Sequence, residues 1–134
     1  MVDVLDLYNF AEAQGTQVYW FDLDTAESLS MPLQDGSCAI AMNPWYLHTR
    51  AGEKVKLAHE LGHCETGSFY NRYAVRDLRQ KHENRANKWA IKKLIPEDEL
   101  WEAFRNGYCE PWELAEYFDV TEDFVRKALD YYRI

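Results

Sequence analysis

His59, Glu60 and His63 form the run His59-Glu60-Leu61-Gly62-His63, two imidazoles four residues apart with a carboxylate between them. In a helix, positions i and i+4 lie one turn apart on one face, so both rings reach a single cation about 2 Å from their nitrogens. Glu60 falls on the flank of that face, where it touches a metal-bound water without taking a coordination position. The chemistry implied is hydrolysis. A zinc ion polarises a carbonyl and lowers the pKa of a bound water toward about 7, and Glu60 takes the water proton as general base. A solvated surface helix could carry the same five residues and bind nothing, so a third ligand decides the matter.

A catalytic zinc takes three protein ligands and keeps one position open, and two histidines with a glutamate are an established set. Glu83 lies twenty residues beyond His63. Helical spacing predicts a helix over residues 82–94 with Glu83 at its start. Glu83 then shares a face with Ala86 or Asn87, Ala90 and Leu94, while Arg85, Lys88 and Lys92 face solvent. The small residues behind Glu83 allow this helix to approach the first one closely. His82 competes by residue type but points to a different face, so Glu83 is the expected third ligand. Zinc is the expected ion, with manganese the other candidate, because metal supply as well as donor type decides occupancy.

The elements that must position these residues follow from periodicity. An apolar stripe over residues 3–14 (Val4, Leu5, Leu7, Tyr8, Ala11) predicts a helix that Gly15 ends. Strands are expected over 17–21, 28–33 and 38–42, the last two joined by Gln34-Asp35-Gly36-Ser37. The metal helix runs over about 51–65 and is followed by a polar and aromatic loop over 68–79. Pro96 stops the second helix and opens a short one with acid in its first turn. Two last helices span about 111–118 and 121–132, with Thr121 as N-cap. The expected fold is α+β, a small antiparallel sheet packed against a helical core, with C-terminal helices. With no repeat or linker, residues 1–134 read as one domain. Residues 1–48 supply the first helix and sheet, 49–96 the metal-site helices and 97–134 the C-terminal helices.

Leu57-Ala58-His59-Glu60-Leu61-Gly62-His63, then Glu83-Asn84-Arg85-Ala86-Asn87-Lys88-Trp89-Ala90 and Lys93-Leu94-Ile95-Pro96, resembles the ImmA/IrrE-type metallopeptidases. The pattern AHELGH followed by ExxAxxxA spans residues 37–96 well and the two ends more loosely. The resemblance implies a zincin-like core, with His59, His63 and Glu83 as metal ligands and Glu60 as the catalytic residue. It also implies a partner. Such proteins accompany a helix-turn-helix repressor in prophages and integrative elements, and the expected activity is site-specific cleavage of that repressor. The alternative is a metal-containing regulator that binds the repressor without cutting it. Asn87 departs from the pattern, standing where many relatives have an acidic residue that orients a histidine ligand.

The remaining features narrow the function. The net charge is −8, which argues against a nucleic-acid binder. Between Arg50 and Lys93, however, eleven basic residues (Arg72 among them) outnumber five acidic ones, a local +6 able to attract an acidic substrate segment or simply forming a solvated helix face. Residues 111–132 have the outline of a helix-turn-helix, but residues 110–134 carry seven acids against three bases, so direct DNA binding is not expected. Cys38, Cys64 and Cys109 form no CxxC pair and read as free thiols, and Cys64 points away from its neighbour His63. No basic and apolar leader opens the chain and no apolar run is long enough to cross a membrane, so a cytoplasmic protein is expected. Trp45, Tyr46, Phe69, Tyr70 and Tyr73 flank the metal helix as core or cleft wall. Any nearby tyrosine, or His48, is eligible to stabilise an oxyanion.

Overall fold

A computed structural model describes residues 1–71 and 73–134, so Arg72 lies outside the described residues. These form helix α1 (Val4–Ala13), strands β1 (Gln17–Trp20), β2 (Ser28–Pro32) and β3 (Cys38–Met42), and then five helices. The helices are α2 (Arg50–Thr66), α3 (Arg76–Leu94), α4 (Glu97–Arg105), α5 (Pro111–Phe118) and α6 (Glu122–Tyr132). The fold is α+β with C-terminal helices, as periodicity predicts. Capping agrees with residue type. Asp3 and Asp6 exchange backbone bonds at the start of α1, and Thr49 and Thr121 accept from Gly52 and Phe124.

The sheet corrects one expectation. Its order is β1-β3-β2, and only β2–β3 is antiparallel, because β1 pairs with β3 in parallel. A meander of three strands would have been antiparallel throughout. The reason lies in β3, whose Ala39 and Ala41 alternate with buried Cys38, Ile40 and Met42, leaving it without a polar face. Such a strand belongs in the centre of a sheet. The more polar β1 and β2 take the edges.

Residues Cys38, Ile40 and Met42 face α2, and the core continues through Leu57, Ala58, Leu61, Ala90, Leu94 and the inner faces of α4 to α6. Lys54 is fully buried within it and donates from Nζ to the Phe118 carbonyl at 2.6 Å, at the C-terminal end of α5. Burial pushes its ammonium down from the usual lysine range, against the pull of Asp119, Asp3 and Asp6. The helix dipole favours a cation at that carbonyl, so Lys54 ties the metal helix to the C-terminal helices.

Two further corrections concern the site. Cys38 and Cys64, read as free thiols, are joined by a disulfide with a Cα–Cα distance of 5.9 Å, while Cys109 remains free and exposed. Sequence spacing hides this because the start of β3 meets the last turns of α2 only in the fold. A bridge over 26 positions constrains the unfolded chain by about 3.5 kcal/mol in the loop-entropy account. Its persistence depends on the redox poise of the compartment, and such bridges are rare in a reducing cytosol. Helix α3 also starts at Arg76, six residues before the expected start at 82. Its added turns, residues 76–81, are exposed throughout, so no apolar period marks them. Among the described residues no helix is long and apolar enough to cross a membrane.

Candidate metal centre

Helix α2 presents His59 and His63 one turn apart, and α3 brings Glu83 against them, two turns inside α3 rather than at its tip. The donor atoms of the three residues all lie within 4.8 Å of one another. His59 Nε2 is 2.8 Å from Glu83 Oε2, and His63 Nε2 is 3.2 Å from Glu83 Oε1. Donors at about 2.0–2.1 Å from a tetrahedral zinc stand about 3.3 Å apart. The side chains therefore need only small rotations to close on a cation.

What brings α3 so near is Gly62. A Cβ there would lie 2.5 Å from the Ala86 carbonyl oxygen and 3.0 Å from Ala86 Cα. Ala86, one turn beyond Glu83, and Ala90 are both fully buried. Hydrogen at Gly62 and methyls on α3 thus set the helix spacing that the metal ligands require.

The second ring nitrogens are committed elsewhere. His63 Nδ1 faces the backbone carbonyl of Ser68, which can only accept, so Nδ1 carries a proton and Nε2 is the nitrogen left to give a lone pair to a cation once its own proton on Glu83 departs. His59 Nδ1 is 2.9 Å from Asn87 Oδ1 and is held the same way. Both rings therefore present the nitrogen a cation needs, and the donor set fits a catalytic zinc. Asn87 does the orienting that an acid performs in the resembling pattern, with a neutral oxygen in place of a charged one. Asn87→Ala is expected to weaken metal affinity about 10- to 100-fold. Asn87→Asp is expected to tighten it, through a more basic His59; chelator competition measures both.

Electrostatics bind the cluster together. Hydrogen bonds from His59 and then His63 hold the Glu83 carboxyl well below the usual carboxylate range, against its partial burial. For His63, burial alone would lower the pKa, but the Glu83 and Ser68 bonds outweigh it and raise the pKa above the ordinary value. A divalent cation would take the place of the His63 proton beside Glu83. Its uptake therefore releases protons and weakens as pH falls.

Glu60 is 6 % exposed and accepts from Ser28 Oγ at 2.6 Å. It sits on the flank of the histidine face, as the helical period requires. The three ligands and Glu60 line one cavity of about 290 Å³ with Ser28, Leu29, Ser30, Phe69 and Tyr70. Tyr70 donates to Glu83 Oε1 at 2.8 Å, and burial together with that carboxylate pushes its phenol up to about 12. It thus remains a proton donor at any ordinary pH.

By sequence alone Tyr70 is one of an undivided group of aromatics. The fold separates them. Phe69 and Tyr70 line the cavity, whereas Trp45, Tyr46, Tyr73 and His48 do not. His82, the rival ligand, stacks on Tyr70 with ring centroids 6.2 Å apart and is not among the grouped donors. Ser28 was missed altogether, since nothing in sequence links a strand serine to a helix glutamate 32 residues away.

Two comparisons bear on this arrangement. A family model described as the IrrE N-terminal-like domain of peptidases matches residues 11–130. No curated protein matches the chain.

Proposed function

Since the chain belongs to the IrrE N-terminal-like peptidase family, we propose that it is a zinc-dependent endopeptidase acting in the cytoplasm on a helix-turn-helix transcriptional repressor. The observation that carries the enzymatic part is the convergence of His59, His63 and Glu83 beside a glutamate that is not a ligand. The repressor as substrate rests on the resemblance of AHELGH…ExxAxxxA to the ImmA/IrrE-type proteins. Manganese is the alternative ion for the same donors.

Zinc held by His59, His63 and Glu83 would supply Lewis-acid activation of a water and of the scissile carbonyl. The chain's own residues do the rest. Ser28 holds one oxygen of Glu60 and leaves the other to take the water proton, which Glu60 then returns to the departing amine. Tyr70, protonated and inside the cavity, holds its single O–H on Glu83, and turning it from that carboxylate, once Glu83 holds the metal, to the oxygen that gains charge would stabilise the intermediate.

An extended peptide suits the cavity rim. The bonds Asn43 N–H to Glu27 and Leu33 N–H to Ser37 mark residues 27 and 33 as bonded pairs with β3. Alternation in an antiparallel ladder then directs the backbone groups of Ser28, Ser30 and Pro32 to the unpaired edge of β2. Ser28 and Ser30 line the metal cavity, and Pro32 has no donor and ends the run. Ser30→Pro would remove one outward N–H without breaking the ladder, since proline is tolerated at such positions. It is expected to raise KM for a peptide substrate about 3- to 10-fold at unchanged metal content. Ser30→Ala, which keeps that N–H, should leave KM where it is; steady-state kinetics on the two variants checks both.

The test of function combines the zinc-loaded protein with a helix-turn-helix repressor taken from the genes that flank its own. New fragments, abolished by a chelator and restored by zinc, are the expected result. A stable complex with both chains intact would overturn cleavage in favour of the non-cleaving regulator.

A further inference from the structure

On the other side of α3 from the metal cavity lies a larger groove of about 810 Å³, walled by α3 and α6. Asp77, Lys81, Asn84 and Lys88 line it from α3 at helical spacing, and Lys127 and Asp130 from α6. Arg85 adds a fourth cation, Ile91 forms an apolar floor that is 3 % exposed, and the Tyr131 ring is exposed. Four cations against two acids make this groove locally +2 in a chain of net charge −8. Among the described residues, none of the four cations enters a salt bridge. With 23 acids available on the chain, a groove whose four cations outnumber its two acids and pair with neither at salt-bridge distance is a surface short of counter-charge.

We infer that this groove is a docking site for an acidic segment of the protein substrate, one bearing an aliphatic or aromatic side chain for Ile91 and Tyr131. The inference rests on the peptidase reading only in taking the partner to be the substrate. Asn87 lines the groove and also holds His59, so α3 is the wall between groove and cleft. A chain seated in the groove is about one helix diameter, roughly 10 Å, from the bond-cleaving residues. Docking there raises the effective concentration of the scissile segment, and the local field steers an acidic chain toward it. A nucleic acid fits less well. Asp77 and Asp130 would face its phosphates, an apolar floor does nothing for a phosphate backbone, and the net charge repels it.

The test uses the full chain and a fluorescein-labelled peptide rich in Glu and Asp with one Leu and one Tyr, beside a matched Lys peptide. Anisotropy should show binding of the acidic peptide alone, weakening as salt rises. The triple variant Lys81→Glu/Lys88→Glu/Lys127→Glu should lose about tenfold or more in affinity at unchanged metal content. The Gln triple variant, which adds no repulsion, should fall between. In cleavage assays both variants should raise KM for the whole substrate and leave kcat alone. Equal peptide affinity in wild type and Glu triple variant overturns the inference. So does preferential capture of duplex DNA, or a dimer of this chain that the triple variant dissolves. Peptide binding is read without catalysis, so a protein that binds the peptide but cuts nothing refutes the peptidase reading and leaves the groove standing. Cleavage with unaltered KM in the variants does the reverse.

Discussion

Glu60→Gln is expected to keep a full equivalent of zinc and to lose about 10²- to 10⁴-fold in kcat, with KM little changed. That range corresponds to about 3–5 kcal/mol of transition-state stabilisation. Glutamine has the same shape, and its carbonyl oxygen accepts from Ser28 as Glu60 does at 2.6 Å, so the cavity should not rearrange. What disappears is the capacity to take a proton. The residue is 6 % exposed, so replacing a buried carboxylate by a neutral amide should not lower stability. His59→Ala is the contrasting case. It removes a donor, strands Asn87 and Glu83, and should lose metal and cleavage together. Metal content by elemental analysis and cleavage rate, measured on both variants, separate the roles. Undiminished cleavage by Glu60→Gln would refute the general base.

Gly62→Ala carries the second large effect, and two arguments oppose each other over its sign. Helix propensity alone favours alanine by about 1 kcal/mol at an interior position. Packing opposes it, because the new methyl would lie 2.5 Å from the Ala86 carbonyl oxygen and 3.0 Å from its Cα. Both atoms are backbone, so no side chain can swing aside, and α3 must retreat by about 1 Å to restore a normal contact. Overpacking of this kind costs about 1–3 kcal/mol, occasionally more, and the expected net result is destabilisation. The functional consequence is larger. Glu83 lies one turn from Ala86 on the helix that must move, so its oxygens leave the 2.8 and 3.2 Å positions beside His59 and His63. Metal affinity should fall about 10- to 100-fold, as it does when the shell around a ligand is disturbed. Denaturant unfolding gives the first quantity and chelator competition the second. A more stable variant with unchanged metal affinity would show that the helices have room to spare.

Much of the fold was legible because helices declare themselves through a period. The apolar stripe of α1, the acidic first turn of α4, the breaks at Gly15 and Pro96, and the cap at Thr121 are local signals, and the structure agrees with them to within a residue or two. The start of α3 was illegible for the same reason. Its first two turns are exposed throughout, so no period in their apolar residues could be read. Lys54 was open to detection and was missed. It falls on the same α2 face as Ala58 and Leu61, where a cation demands a buried partner, and the Phe118 carbonyl is that partner.

Residue type and helical period by themselves determined the chemistry on each helix: two imidazoles one turn apart, a flanking carboxylate, and Glu83 rather than His82 on the facing side. They could do so because these relations lie within about one turn of chain. Only the tertiary structure decided what lies across gaps in sequence. It placed β3 in the middle of the sheet, Cys38 against Cys64, Ser28 on Glu60, Tyr70 on Glu83 and a groove of unmatched cations behind the site. Those pairings depend on how closely whole elements approach, and here that distance is set by a glycine hydrogen against the backbone of Ala86.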